Sequence, residues 1–508
     1  MFINHWFSKN ENKKQDIDTL NLDNLFTKTK KSSDFKQFSL SNEEGSFILS
    51  YYNSLIDQQQ LQCKILQVFQ DRSLDRGNLK KIDDVREFIP IEDIIITDNL
   101  DVIQSKLLKG YAILQIKEND PRCALIHLSN EVGLRDKNDV ENEFTVVGPK
   151  VGFVENIEIN IHLLRQQINT PNLIFKEMTI GTMSHTKVVI AYIEGITNDQ
   201  HVQTMVQRLE NIDFDIVFDS SQLHQFIADN SSTPFPLALS TERADRVVWS
   251  MLNGQVAVLS SGSPYAITAP STLLEFFITP EDYYLPWIVS SFFRLTRIIG
   301  VLFSIFATSI YIAVLTYHYE MIPEVLLGPL SLSRRNVPFS PVLEVLFLEF
   351  TIELLREAGA RLPAKVGQTL GIVGGIVIGQ ASVEAALTSN VLLIIVALSA
   401  LASFNTPIYK MSNTIRFLRF PLILFAALWG GLGIVLGFSF LLVHLLRLES
   451  LGSPYMVPLY PFRPKDFADS FIRSPYSVTT KRPGYLRPKS IWRYHPNDHK
   501  KKKNDFDD

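Results

Sequence analysis

Hydrophobic and polar positions follow two different rhythms along this chain, and the change comes near residue 285. Before it, short apolar runs alternate with charged and turn-forming segments. Residues 98–108 have helical spacing, while 111–116 and 123–128 are β-rich. Past a charged link at 135–143 the alternation resumes, predicting helices at 154–168, 201–209, 220–227 and 241–252 and strands at 186–193, 214–218 and 255–260. Ser220 is the predicted N-cap of its helix. This alternation predicts a soluble α/β region of two small units, at 41–140 and 141–285. A mobile polar arm at 1–40, low in hydrophobicity, is expected to precede them.

After residue 285 the pattern belongs to a bilayer. Between Lys365 and Arg447 the only charges are Glu384, Lys410, Arg416 and Arg419. A crossing helix needs about 20 mostly apolar residues, and runs at 287–317, 366–387, 391–407 and 417–446 meet that need. With a charged amphipathic helix at 341–359 and a short apolar run at 323–332, they predict an α-helical polytopic membrane domain of four to six segments over 286–450. Prolines then end any helix, and 451–508 reads as a Pro-rich basic tail, with twelve Lys+Arg against six Asp+Glu from Tyr460 onward.

Sidedness is contradictory at this level. Counting 341–359 as a crossing gives five and leaves the basic tail outside. Counting it as interfacial gives four, and strands Arg356, Arg361 and Lys365 outside with Arg334 and Arg335. Neither count satisfies the positive-inside rule.

Charge sharpens the division. Lys+Arg number 26 against 39 Asp+Glu through residue 285, and 23 against 14 afterwards. The first 31 residues lack the apolar core of a secretory signal, so the N-terminal region is expected in the cytoplasm. Cys63 and Cys123 show no metal-ligand or redox spacing and read as ordinary thiols of a reducing compartment. Neither α/β unit carries a phosphate-binding glycine loop, zinc-ligand spacing or a nucleophile elbow. No enzyme activity, cofactor, metal or nucleic-acid partner is therefore expected.

Candidate chemistry concentrates in the 366–387 segment. Gly367, Gly371, Gly375 and Gly379 recur every four residues and form one helix-packing stripe. Thr369, Gln380 and Glu384 lie on a largely different face, within about 60° of one another. A carboxylate in lipid costs several kilocalories per mole, so Glu384 either lines a hydrated ion path or sits at the membrane surface beside Thr388 and Ser389. In the 341–359 helix, Glu349 and Glu353 share a face with Arg356 and Glu357, while Glu344 points nearly opposite. These acids either line a vestibule or are neutralised within the helix, as by Arg356 on Glu353.

Several motifs are familiar as well. Gly148-Pro149-Lys150, Gly152-Phe153-Val154-Glu155-Asn156, Thr241-Glu242-Arg243, Asp245-Arg246-Val247, Gly262-Ser263-Pro264 and Glu281-Asp282-Tyr283-Tyr284 occur in order. Ser333-Arg334-Arg335, Val337-Pro338-Phe339, Leu355-Arg356-Glu357-Ala358-Gly359, Arg361-Leu362-Pro363, Gly371-Ile372-Val373-Gly374 and Ile378-Gly379-Gln380-Ala381 follow. Over roughly 140–460 the chain resembles the GerA-type spore germination proteins, in their A subunit. It departs from that pattern at Ala244, where a proline is usual, and at Tyr319 after His318. The resemblance implies one subunit of a nutrient germinant receptor in the inner spore membrane, multi-pass, working with B and C subunits. It also implies a homo-oligomeric, ligand-gated channel that releases monovalent cations. Two other implications stay open: a related sporulation membrane protein that amplifies germination, and a non-conducting receptor scaffold.

Overall fold

In the computed structural model, residues 22–42, 45–70, 82–91, 93–116, 122–129, 143, 145–362, 375, 379–476 and 478–493 are described. Contacts divide the chain into two units. Met1–Val140, Lys150–Leu223 and Glu242–Ile267 form the first, and Glu141–Pro149, His224–Thr241 and Thr268–Asp508 the second.

The first unit holds an antiparallel sheet of β1 (Phe35–Asn42), β2 (Gly45–Tyr52), β3 (Ile94–Thr97), β4 (Tyr111–Gln115) and β5 (Cys123–His127), in the order β1-β2-β4-β5-β3. The period-two alternation of a strand explains why both faces are apolar. Leu49, Leu114 and Ile126 enter one cluster, while Ile113 and Leu125 enter another with Ile103 and Leu107 of α1 (Leu100–Leu107). That helix begins where the Asn99 side chain accepts a hydrogen bond from the Asp101 amide at 3.0 Å.

The polar arm is shorter than expected. Leu22–Thr29 is a helix and β1 begins at Phe35, because Leu22, Leu25, Phe26 and Phe35 supply enough apolar surface to dock on the sheet. Residues 1–21 lie outside the described residues.

Three strands of a second sheet lie in this unit, β6 (Leu173–Ile180), β7 (Thr186–Ile193) and β8 (Val256–Ser260), paired antiparallel with Leu173 opposite Ile193 and Val188 opposite Ser260. It shares a core containing Leu164, Phe175, Val189, Val247 and Leu259 with α2 (Ile157–Gln167) and α4 (Ala244–Asn253), and α3 (Asp199–Glu210) follows β7. Two expectations are corrected here. Residues 214–218 are not a strand: the carbonyls of Phe214 and Asp215 accept from Thr182 and Met183 at 3.1 and 2.9 Å, closing a loop rather than a ladder. The cap before Ser220 is Asp219, whose Oδ2 accepts from the Ser221 amide at 3.0 Å.

The two sheets of this unit are tied by Arg165, which is fully buried. Its Nη2 lies 2.8 Å from Asp34 Oδ1 and 3.0 Å from Ser32 Oγ, Nη1 donates to the Leu173 carbonyl at 3.0 Å, and the guanidinium stacks 4.3 Å from the Tyr52 ring. Burial pushes the Tyr52 hydroxyl up to about 12.

The second unit is dominated by apolar helices: α5 (Trp287–Thr316), α6 (Glu324–Arg334), α7 (Pro341–Arg361), α8 (Asn390–Ser403) and the stretch Tyr409–Arg447. Among the described residues, Trp287–Thr316 and Tyr409–Arg447 have the length and apolarity to cross a bilayer. The second of these is not a single rod. At Gly430 the backbone takes φ 59° and ψ −134°, and the chain reverses. Arms 409–429 and 431–447, here α9 and α10, therefore run antiparallel, with the rings of Phe425 and Phe440 6.1 Å apart. Thr414 and His444, near the open ends, bond Pro234 O at 2.5 Å and Thr233 Oγ1 at 2.8 Å. The apolar run at 417–446, expected as one crossing, is thus a helical hairpin. A Cβ at Gly430 would sit 2.8 Å from the Tyr317 side chain, so this turn requires glycine both for its positive φ and for its close approach.

Candidate functional site

Apolar helices that bury charge must pair it, and the second unit does so in layers. In the middle layer Arg419 of α9 reaches between three neighbours. Its Nη1 lies 2.5 Å from Glu349 Oε2 on α7, Nε donates to the Ser304 carbonyl on α5 at 2.9 Å, and Nη2 donates to Ser304 Oγ at 2.7 Å and to the Ser399 carbonyl on α8 at 3.4 Å. One guanidinium thus ties four helices together. Small residues make this possible, because Ser304 and Ser399 leave their backbones open to a side-chain donor.

A second layer lies one turn further along α7. Glu353 accepts from Arg416 at 3.2 Å and faces Arg356 at 3.5 Å, while Arg356 stacks 4.3 Å from the Phe404 ring and reaches Ser403 Oγ at 3.4 Å. At the other end of α7, Glu344 accepts from the Ser389 amide at 2.6 Å and Thr388 Oγ1 at 3.2 Å, with Arg334 3.4 Å away. Tyr311 Oη lies 3.2 Å from Ser389 Oγ.

These contacts fix helix directions. Residues 304 and 311 of α5 meet 399 and 389 of α8, so those helices are antiparallel. Residues 344 and 356 of α7 meet 389 and 403, so α7 runs with α8. Arg419 at Ser304, and Tyr317 donating to the Ala427 carbonyl at 2.9 Å, make α9 parallel to α5. The start of α5 is anchored by Arg294, which bonds Asp282 at 3.2 Å and the Asp469 carbonyl at 2.7 Å. Tyr283 Oη donates to Asp469 Oδ2 at 2.8 Å. Burial raises the Asp469 carboxyl, with Arg294 opposing, and lifts the Tyr283 hydroxyl well above its usual value. At the same end His224 holds the Ala238 carbonyl at 2.8 Å, and burial lowers its imidazole to about 4.

Of the residues singled out from sequence, Glu349 and Glu353 are brought into arginine clasps. Glu384 is exposed, accepts from Gln380 Nε2 at 2.8 Å, and among the described residues faces no cation. Gly375 is exposed, with no described residue within 4 Å of where a Cβ would stand, and at Gly379 that Cβ would lie 3.8 Å from Leu393. Thr369, Gly367 and Gly371 lie outside the described residues. Sequence reasoning noted Arg416 and Arg419 as charges but did not pair them. The available signal was complementary spacing, two arginines three apart facing two acids four apart. Among the described residues no three His, Cys, Asp or Glu side chains are grouped to hold a metal ion.

The profile of the family described as Bacillus/Clostridium GerA spore germination protein matches residues 21–485. Spore germination protein GerQA of Bacillus cereus is 48% identical over 491 residues, covering 96% of this chain and 97% of its own. GerIA of the same organism is 46% identical, over 96% of this chain and 72% of its own. Spore germination protein A1 of Bacillus subtilis (strain 168) is 38% identical, over 84% and 88% respectively. Among solved structures, the N-terminal domain of the A subunit of the Bacillus megaterium spore germinant receptor GerK3 is 28% identical, with a TM-score of 0.38, and the likeness covers 50% of this chain and 94% of that one.

Proposed function

The chain belongs to the GerA family of spore germination proteins, and from that premise we propose that it is the channel-forming A subunit of a nutrient germinant receptor. The motif resemblance found in the sequence is borne out by the family match. In the proposal the subunit resides in the inner spore membrane, assembles with copies of itself and with B and C subunits, and passes monovalent cations once nutrient is sensed. It performs no catalytic turnover.

The observation that carries the proposal is Glu384. Four acids of α7, Glu344, Glu349, Glu353 and Glu357, each face an arginine. Glu384 has Gln380 instead and stands exposed. A carboxylate left so in an apolar segment favours water over lipid, and copies of it around an axis would line a cation path.

The directions of α5, α7, α8, α9 and α10 support a six-crossing topology: α7 and α8 run parallel, so the proposal counts one further crossing between them, and the chain re-emerges on the side from which it entered. In this topology Arg356, Arg361, Lys365, Lys410, Arg416 and the basic tail share the cytoplasmic side and outnumber Arg334 and Arg335 on the other, the bias the positive-inside rule favours.

The test is reconstitution of the full chain with its B and C subunits in liposomes, with nutrient-triggered potassium efflux and oligomer mass measured on one sample. Efflux from a defined oligomer supports the channel. An intact oligomer that passes no ion under nutrient overturns it in favour of a scaffold.

A further inference from the structure

The charge layers of the second unit do not all balance. Arg419 and Glu349 neutralise each other, but Glu353 alone faces both Arg416 and Arg356, leaving one positive charge in excess. Glu357 is committed to Arg361, and the sequence holds no further acid between Glu357 and Glu384. Two donor atoms in this layer, Arg356 Nη1 and Arg416 Nε, are buried without a hydrogen-bond partner among the described residues. The two side chains as a whole are 18% and 12% exposed, so the layer borders the surface although these two donors lie just beneath it. Phe404 under Arg356 is 64% exposed, and Phe417, the residue after Arg416 on α9, is 58% exposed, so exposed apolar rings lie on the elements that carry the charged layer.

A surplus guanidinium charge beside lipid requires an anion, and a planar fork of donors matches the oxygens of a phosphate. Glu384 of a neighbouring copy cannot supply it. It precedes the start of α8 by a few residues, whereas Arg356 meets Ser403 at the end of that 14-residue helix, about 20 Å further along the stack. In a ring of parallel copies that separation is retained. We propose that Arg356 and Arg416 form a phosphate-oxyanion site filled from the membrane by the headgroup of an anionic phospholipid, with its chains against Phe404 and Phe417. The site rests on the bilayer placement of these helices proposed above, and on nothing about conduction.

The test uses the full-length chain in phosphatidylcholine nanodiscs, titrated with phosphatidylglycerol or, separately, with inorganic phosphate, and read by native mass spectrometry and thermal unfolding. A parallel chain with Lys500, Lys501, Lys502 and Lys503 replaced by Gln removes lipid bound by the tail. The expected result is phosphatidylglycerol retained by both chains and roughly tenfold less by Arg356→Gln. That variant keeps the Arg416–Glu353 pair. Glu353→Gln, which raises the surplus charge, should retain more lipid than wild type. Equal retention by wild type and Arg356→Gln, or saturation by inorganic phosphate alone, overturns the lipid site. Failure to enter nanodiscs at all would instead overturn the bilayer placement, and with it this site.

Discussion

Arg419 Nη1 lies 2.5 Å from Glu349 Oε2, and both side chains are only 1% exposed. Removing one member of such a pair strands the other without its counter-charge, at a cost of about 3–5 kcal/mol. Arg419→Met should therefore lower the unfolding temperature of the detergent-purified chain markedly, and Glu349→Gln should do so less. The double variant Arg419→Met, Glu349→Leu should regain most of the loss. A double variant as unstable as Arg419→Met would mean that the bonds to Ser304 and Ser399, rather than the ion pair, hold the helices.

The turn at Gly430 gives a second expectation. Alanine there meets both a strained positive φ and the Tyr317 side chain at 2.8 Å, which together cost about 1–3 kcal/mol. Gly430→Ala should destabilise the chain in thermal unfolding, and adding Tyr317→Ala should recover the steric part but not the backbone part. No change on Gly430→Ala would argue that the two arms do not fold back at this residue.

Much of the first unit was legible. The strand at 186–193 and the helix at 201–209 were read from alternation and 3.6-residue spacing, and Thr186–Ile193 and Asp199–Glu210 answer to them. The β1 strand was missed because Lys36, Gln37 and Ser39 dilute Phe35 and Phe38, which stand three apart and so break the period-two alternation of a strand. The hairpin at Gly430 was hidden for the opposite reason. Every residue around it is apolar or glycine, so hydropathy sees one uninterrupted run, and the reversal follows from a single backbone angle and the seat Tyr317 offers it. That missed turn also bears on the contradictory sidedness, because the six-crossing topology proposed above counts one more crossing than hydropathy could. The pairings of Arg416 and Arg419 were only hinted at by complementary spacing, because they join residues some 60 to 70 positions apart, and the packing of α7 on α9 chooses the partners.

His224 ties stability to pH. Its ordinary value of 6.5 falls to about 4 through burial, with Lys410 nearby acting in the same direction. The folded chain therefore binds fewer protons than the unfolded one between these values. Stability from this group is complete above pH 6.5 and drains away as pH falls toward 4, by roughly 3 kcal/mol in all. Thermal unfolding followed from pH 7 to 4 should show that slope, and His224→Gln should flatten it. An unchanged slope would assign acid sensitivity elsewhere.

Among the described residues nothing approaches Gly375, as on a surface prepared for another backbone. Gly375→Leu should leave membrane insertion intact and lower the oligomer mass of the purified chain. An oligomer of unchanged size would mean that this side of the segment faces lipid.

Glu384 tests the proposed ion path most directly. Among the described residues it has Gln380 at 2.8 Å and no cation, whereas the acids of α7 are clasped by arginines and are poor candidates for attracting a mobile ion. Glu384→Gln keeps nearly the same shape and hydrogen-bonding capacity but removes one charge per copy, so an acidic ring around an oligomer axis would become neutral. Cation-over-anion selectivity depends on that ring charge. Reversal potentials in asymmetric salt, measured side by side on wild type and variant of equal oligomer mass, should therefore shift toward zero in the variant. Unchanged selectivity in an intact oligomer would remove Glu384 from the path and place it at the membrane surface beside Thr388 and Ser389, where a carboxylate needs no partner.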